Sequence, residues 1–288
     1  VQYGLSLPPF GDFADPHMLI DAARRAEAAG WDGFFIWDHM FFDPSFHPNL
    51  DPWVGLAGVA TATTRIRIGT MITPLARRRP WKLARETVTL DRLSNGRLIL
   101  GVGLGDPVQW DFGFFHEETN PKIRAKKLDE ELAILTGLWR GEPFSFHGEQ
   151  YQIEEVWFRP TPLQAPRIPI WVGGNWANKP PMRRAARWDG FFPISFEGPM
   201  TPDDCRTALK YIGEHRTSDQ PIDLILSPTL PDDPAQARDL LHQYAEAGLT
   251  WCVAPIDPWA LGADWEAQWD SDYTKKMLDW IDRGPVKI

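Results

Sequence analysis

Asp38 and His39 close the apolar run of residues 33–37, and a carboxylate beside an imidazole is a pairing that can hold and pass a proton near neutral pH. If that run is a strand, neighbouring side chains point to opposite faces, so one of the two serves the interior and the other orients or caps. Two glycine turns follow apolar runs in the same manner: GVGLGD at residues 101–106 and WVGGN at residues 171–175. The first misses the dinucleotide fingerprint, because its sixth residue is Asp106, and the phosphate-loop pattern, because no Lys-Ser/Thr pair follows. Two readings stay open for it: a tight corner, or a wall whose backbone approaches a flat ligand. The second turn leads to Arg183 and Arg184, so backbone amides at Gly173, Gly174 and Asn175 plus a guanidinium group suggest a phosphate site, against a plain surface helix.

Other chemistries lose ground on residue types. Asp38, His39, Asp43, His47, Asp51 and Asp106 form no recognised metal-ligand spacing, so no metal is expected. No Gly-x-Ser-x-Gly elbow occurs, which disfavours a barrel hydrolase. Cys205 and Cys252 are too few for a disulfide framework or a closed zinc site and read as buried thiols. With a net charge of −9 and one short basic run, Arg77-Arg78-Arg79, nucleic acid is not an expected partner. The triplet itself reads as a solvated loop or as a local anion site. Apolar runs fall far short of the roughly 20 residues a membrane span needs, and the first residues show no basic-then-apolar signal, so a cytoplasmic protein is expected.

Those residues need a scaffold. Apolar strand-like and helical segments alternate: strands at 2–7, 33–37, 67–72, 97–102, 168–172, 190–194, 222–227 and 250–254, each followed by a helical pattern. Residues 141–166 break the rhythm with two-residue alternation and read as an inserted hairpin covering the barrel. Eight such units in one domain, residues 1–288, predict a (β/α)8 TIM barrel rather than a doubly wound sheet. In such a barrel the reactive face is built from the loops after each strand, which collects Ser6, Asp38-His39, Thr70-Met71-Ile72, residues 103–109 and residues 173–175.

The segments YGLSLP, AEAAGWDGFFIWDHM, TRIRIGTMITP, TLDRLSNGRLILGVGLGD, RAKKLDEELAILTGLW and IPIWVGG, in this order over at least the first two-thirds of the chain, resemble the bacterial luciferase-like flavin monooxygenase family. The resemblance implies FMN or the deazaflavin coenzyme F420 at the barrel mouth, and a non-proline cis peptide just after strand three, around Thr70-Met71. Asp38-His39 resembles the deazaflavin branch. Where that branch carries Glu, and Asn three residues on, this chain has Asp106 and Gln109, so the acid reaches less far and the choice of cofactor stays open. Reduced FMN would imply oxygen activation, and a separate flavin reductase as partner; F420 would imply hydride transfer.

The resemblance further implies His39 as acid or base, with Asp38 and Asp106 as secondary candidates. Ser6, Asp38, Thr70, Met71, Ile72, Gly103 and Gln109 would meet the ring, and Gly173, Gly174 and Asn175 with Arg183 or Arg184 the phosphate end. A small hydrophobic or aromatic organic substrate is expected under the loops 40–51 and 107–121, whose aromatics are Phe41, Phe42, Phe46, Trp110, Phe112, Phe114 and Phe115. The alternative for those rings is burial against the rim or a second subunit, and a homodimer or larger assembly is expected. A non-catalytic flavin-binding barrel is the competing function.

Overall fold

The structure is a computed structural model that describes residues 1–42, 48–195, 198–257, 259–260, 262 and 271–288. Eight parallel strands close into a barrel: β1 (Gln2–Leu7), β2 (Gly33–Ile36), β3 (Arg67–Pro74), β4 (Leu98–Gly103), β7 (Ile170–Asn175), β8 (Gly190–Ile194), β9 (Asp223–Leu226) and β10 (Trp251–Pro255). They are joined in the order β1-β10-β9-β8-β7-β4-β3-β2. The remaining pair, β5 (Pro143–His147) and β6 (Gln152–Trp157), is an antiparallel hairpin. This is the expected TIM-barrel fold with its insertion.

The jacket comprises α1 (Pro16–Ala28), α2 (Pro52–Ala62), α3 (Pro80–Leu93), α5 (Pro121–Trp139), α6 (Lys179–Ala185), α7 (Pro202–His215), α8 (Pro234–Glu246) and α9 (Ser271–Arg283), while the short α4 (Val108–Asp111) lies in the loop after β4. Most of these helices start on proline, and Asp15, Asp51, Asn120, Thr201 and Asp233 each accept a bond from a first-turn amide. Proline fits the first helical position because its missing donor has no partner there anyway, and the capping oxygen satisfies a donor that does. The start of each of these helices is therefore set at the reactive end of the barrel.

Alternation along the strands divides the core. Leu5, Leu7, Phe34, Ile36, Ile68, Val102 and Val172 pack outward against the helices, whereas Phe35, Met71, Ile99, Trp171, Ile225, Trp251 and Val253 fill the lumen. Phe35, Trp171 and Trp251 stand with ring centroids 5.1 to 5.8 Å apart. Room for them comes from glycine: a Cβ on Gly33 would lie 2.6 Å from Phe35, and one on Gly190 would lie 2.2 Å from Trp171. The lower lumen is thus a packed aromatic plug.

The hairpin rests on α5. The Glu130 carboxylate accepts from the amides of Glu149, Gln150 and Tyr151, and Tyr151 donates its hydroxyl to the buried Glu131. Burial drives the Glu131 carboxyl up to about 8. Among the described residues, no helix is long and apolar enough to cross a membrane, and no cluster of His, Cys, Asp or Glu is placed to hold a metal ion. Both cysteines are buried, and burial pushes Cys205 up to about 11 and Cys252 up to about 12.

Candidate active site

The chain leaves β2 at Ile36, and the side chains of the next three residues diverge. The Trp37 indole donates to Ser6 Oγ at 3.0 Å, which ties the ends of β1 and β2 together at the mouth. Asp38 turns away from the mouth. Its carboxylate is fully buried between Arg77 and Arg78, at 2.7 and 2.8 Å, and also accepts from the Thr73 hydroxyl and the Trp53 indole. Burial opposes ionisation, but Arg78 and Arg77 outweigh it and bring the carboxyl down to about 2. Of the roles expected for Asp38, this geometry supports the orienting one: the Arg77 and Arg78 guanidinium groups do bind an anion, but it is the protein's own.

His39 takes the other side. Its Nδ1 lies 2.7 Å from Oδ2 of Asp111, whose other oxygen accepts from the Met40 amide at 2.8 Å. The Asp111 side chain is completely buried and that of His39 is 12% exposed. A carboxylate accepts, so Nδ1 carries the hydrogen, which leaves Nε2 as the nitrogen that faces proton exchange. The imidazole is enclosed by Phe10, Trp37 and Phe42, with centroids 6.0, 6.0 and 4.8 Å away. Trp259 stacks on Trp37 at 6.1 Å, and Trp110 meets Phe42 edge-on. Asp111 escaped the sequence reading. The available signal was one acid inside the apolar run Trp110-Asp111-Phe112.

A bulge in β3 shapes the opposite wall. The β3–β4 register slips between Thr70 and Thr73, and the non-proline cis peptide lies between Met71 and Ile72, one bond later than expected around Thr70-Met71. The slip presses the bulge onto β4. A Cβ on Gly101 would come within 2.2 Å of the Thr70 carbonyl oxygen, and one on Gly103 within 2.0 Å of Ile72 Cδ1. Ile72 therefore lies across Gly101, Gly103 and Gly173 as an apolar shelf, while Met71 points into the lumen core. GVGLGD is a corner and a wall together, since the glycines that admit the bulge also keep the mouth flat.

Beside the shelf, Asn175, Trp176, Ala177, Ser195, Gly198, Pro199, Met200 and Asp204 line a cavity of about 200 Å³. The two arginines of α6 expected at a phosphate have partners of their own. Arg184 does not reach this cavity, because it is buried in an ion pair with Asp129 of α5 at 2.8 Å; Arg183 is exposed and donates to the Tyr211 hydroxyl on α7. Each follows from helix periodicity, which turns consecutive side chains of α6 by about 100°. Gly174 packs on Pro181. Asp106 and Gln109 sit exposed on the loop after β4, apart from the His39–Asp111 pair. A flat, partly apolar ring with a polar tail fits this donor set: an apolar Ile72 shelf over glycines, an acid/base group, and a polar cavity at the edge.

Of the loop aromatics, Phe42 and Phe112 are buried, Phe41 meets Phe114 edge-on, and Phe114 and Phe115 are exposed. Phe46, with Asp43 and His47, lies outside the described residues. A second cavity, of about 390 Å³, is lined by residues that follow β9 and β10 together with Tyr3, Trp31 and Trp280.

The sequence pattern of the luciferase-like monooxygenases matches residues 4–274. The chain belongs to the luciferase-like monooxygenase family. Luciferase-like relatives include the F420-dependent glucose-6-phosphate dehydrogenase of Microbacterium testaceum, 32% identical over 60% of this chain and 50% of that one. The enzyme of that name from Nakamurella multipartita is 33% identical over 70% of this chain and 58% of its own, and that from Kineococcus radiotolerans 31% over 82% and 70%. The chain thus spans between half and three-fifths of the length of the first two. Among solved structures, the F420-dependent tetrahydromethanopterin reductase of Methanopyrus kandleri superposes with a TM-score of 0.74 at 18% identity, covering 99% of this chain and 98% of that one. At that identity the likeness shows the fold alone.

Proposed function

We propose that the protein is an oxidoreductase that binds coenzyme F420 at the barrel mouth and acts on a small organic substrate, with His39 as acid/base. The observation that carries this reading is the His39–Asp111 pair, a proton-handling group fixed at the rim of a flat, glycine-walled mouth. The printed names of the curated relatives, F420-dependent dehydrogenases, support the deazaflavin over FMN. When bound, the deazaflavin supplies or accepts a hydride.

The chain's own residues do the rest. Ile72, with Gly103 and Gly173, offers the surface against which a ring lies; the cavity at Asn175 and Ser195 takes its polar end with amides and side-chain oxygens. His39 Nε2 takes up or returns the proton of a substrate hydroxyl, and Asp111 holds the ring in the tautomer that leaves Nε2 free. Phe10, Trp37 and Phe42 exclude water from that exchange. FMN with oxygen activation is the second reading, favoured by the family's monooxygenases, and it would call for a flavin reductase as partner.

Separate titrations with F420 and FMN, followed by fluorescence, test the assignment. Saturable micromolar binding of F420 is expected; binding of FMN alone transfers the reading to the second function, and binding of neither removes both. His39→Asn should bind cofactor as the wild type does and lose at least about 100-fold in kcat. Wild-type turnover in that variant would remove the acid/base role.

A further inference from the structure

We propose that the mouth selects uncharged, apolar alcohol or carbonyl substrates and rejects anionic ones, sugar phosphates among them. The inference rests on His39 marking the substrate side. Its ground is where the cations stand. Substrate recognition at a barrel mouth falls to the loops that follow the strands, and a phosphate or carboxylate held there needs a Lys or Arg within bonding reach. Residues 8–15, 37–51, 104–120, 176–178, 195–201, 227–233 and 256–270 contain neither Lys nor Arg. Of the eight connections, one carries any: Arg77-Arg78-Arg79 after β3.

Those three are engaged elsewhere. Arg77 and Arg78 neutralise Asp38, and the Arg77 side chain is 3% exposed. Arg79 acts on Tyr151, on the hairpin side of the barrel. The next cations along the β4 connection are Lys122, exposed on the first turn of α5, and Arg124, which is buried and donates to the carbonyls of Leu104 and Gly105 while lying over the Phe112 ring. Lys179 and Arg183 gather at Tyr211 on α6 and α7. That cluster belongs to the β7–β8 side of the barrel, opposite β1 and β2.

What surrounds His39 instead is aromatic: Phe10, Trp37, Phe42, Trp110 and Trp259. The same loops carry Asp106, Glu117, Glu118, Asp232 and Asp257, so an incoming anion meets like charge and finds no counter-charge to offset its desolvation. An uncharged alcohol or ketone pays neither cost, and it gains contact with the rings. Asp257 contributes by position: it is buried and accepts from the Ala260 amide at 2.8 Å, which fixes the turn that sets Trp259 on Trp37.

The test compares cyclohexanol with 4-hydroxycyclohexanecarboxylate and glucose 6-phosphate, as equilibrium binding to F420-loaded protein read by deazaflavin fluorescence. The same ligands are followed by saturation-transfer NMR on the unloaded protein, so that the charge comparison stays readable if F420 does not bind. Cyclohexanol should bind at least tenfold more tightly than either anion, with added salt strengthening the anions and leaving the alcohol unchanged. Trp259→Ala should weaken the alcohol several-fold. Equal binding of alcohol and carboxylate, preferential binding of glucose 6-phosphate, or no alcohol binding in either measurement overturns the proposal. Failure of F420 alone overturns the cofactor reading and leaves the charge comparison intact.

Discussion

Nδ1 of His39 and Oδ2 of Asp111 meet at 2.7 Å across 72 residues of sequence, and the second Asp111 oxygen holds the amide next to the histidine. One buried carboxylate therefore fixes both the ring and the backbone that carries it. Asp111→Asn should lower kcat by about 10- to 100-fold with little change in KM, because the loss falls on proton transfer and not on substrate contact. Steady-state kinetics of the two variants, alone and combined, would show the two residues acting as a unit if the double variant is no worse than His39→Asn.

Asp38 sits next to His39 and predicts a different phenotype. Removing its charge strands Arg77 and Arg78 in a dry environment, so Asp38→Asn should cost about 3–5 kcal/mol of stability, read from the denaturant midpoint. The folded carboxyl lies below its ordinary value, so its contribution is full above roughly pH 4 and is lost as pH falls through about 2. In acid titrations the variant should lack that segment of the stability curve.

The β3 bulge offers a paired test in glycine. Gly101→Ala places a methyl 2.2 Å from the Thr70 oxygen, a backbone atom that moves only if the bulge moves. A loss of roughly 1–3 kcal/mol is expected, together with weaker cofactor binding. Gly213→Ala on α7 meets nothing within 4 Å and should stabilise by about 0.5–1 kcal/mol through helix propensity. Thermal unfolding of both separates steric fit from backbone entropy.

Much of this was legible in the chain. The alternation of strand and helix predicts eight units because most of the helices between the strands begin on a capping residue or a proline, which are local signals. His39 was legible too, as a titratable residue at a strand end. Asp111 and Asp129 were not, since their partners His39 and Arg184 lie 72 and 55 residues away and no local pattern encodes a contact across the barrel. The cis peptide lies one bond beyond the expected Thr70-Met71 position, inside a bulge whose register is defined only once β3 and β4 are paired.

Glu131 predicts an alkaline dependence. Its folded carboxyl stands near 8, above its unfolded value, so the stability that its protonated form contributes is full below about pH 4.5 and is lost as pH rises through about 8. Glu131→Gln should flatten the fall in melting temperature between about pH 5 and 8. An unchanged slope would place the ionising group elsewhere.

Three ring systems packed edge to face or tilted, Phe35, Trp171 and Trp251, cork the cylinder from beneath. Whatever enters the upper half must return by the way it came, so coenzyme and substrate queue at one doorway and the deeper guest has to arrive first. Compulsory-order kinetics, with coenzyme leading, follow from that cul-de-sac.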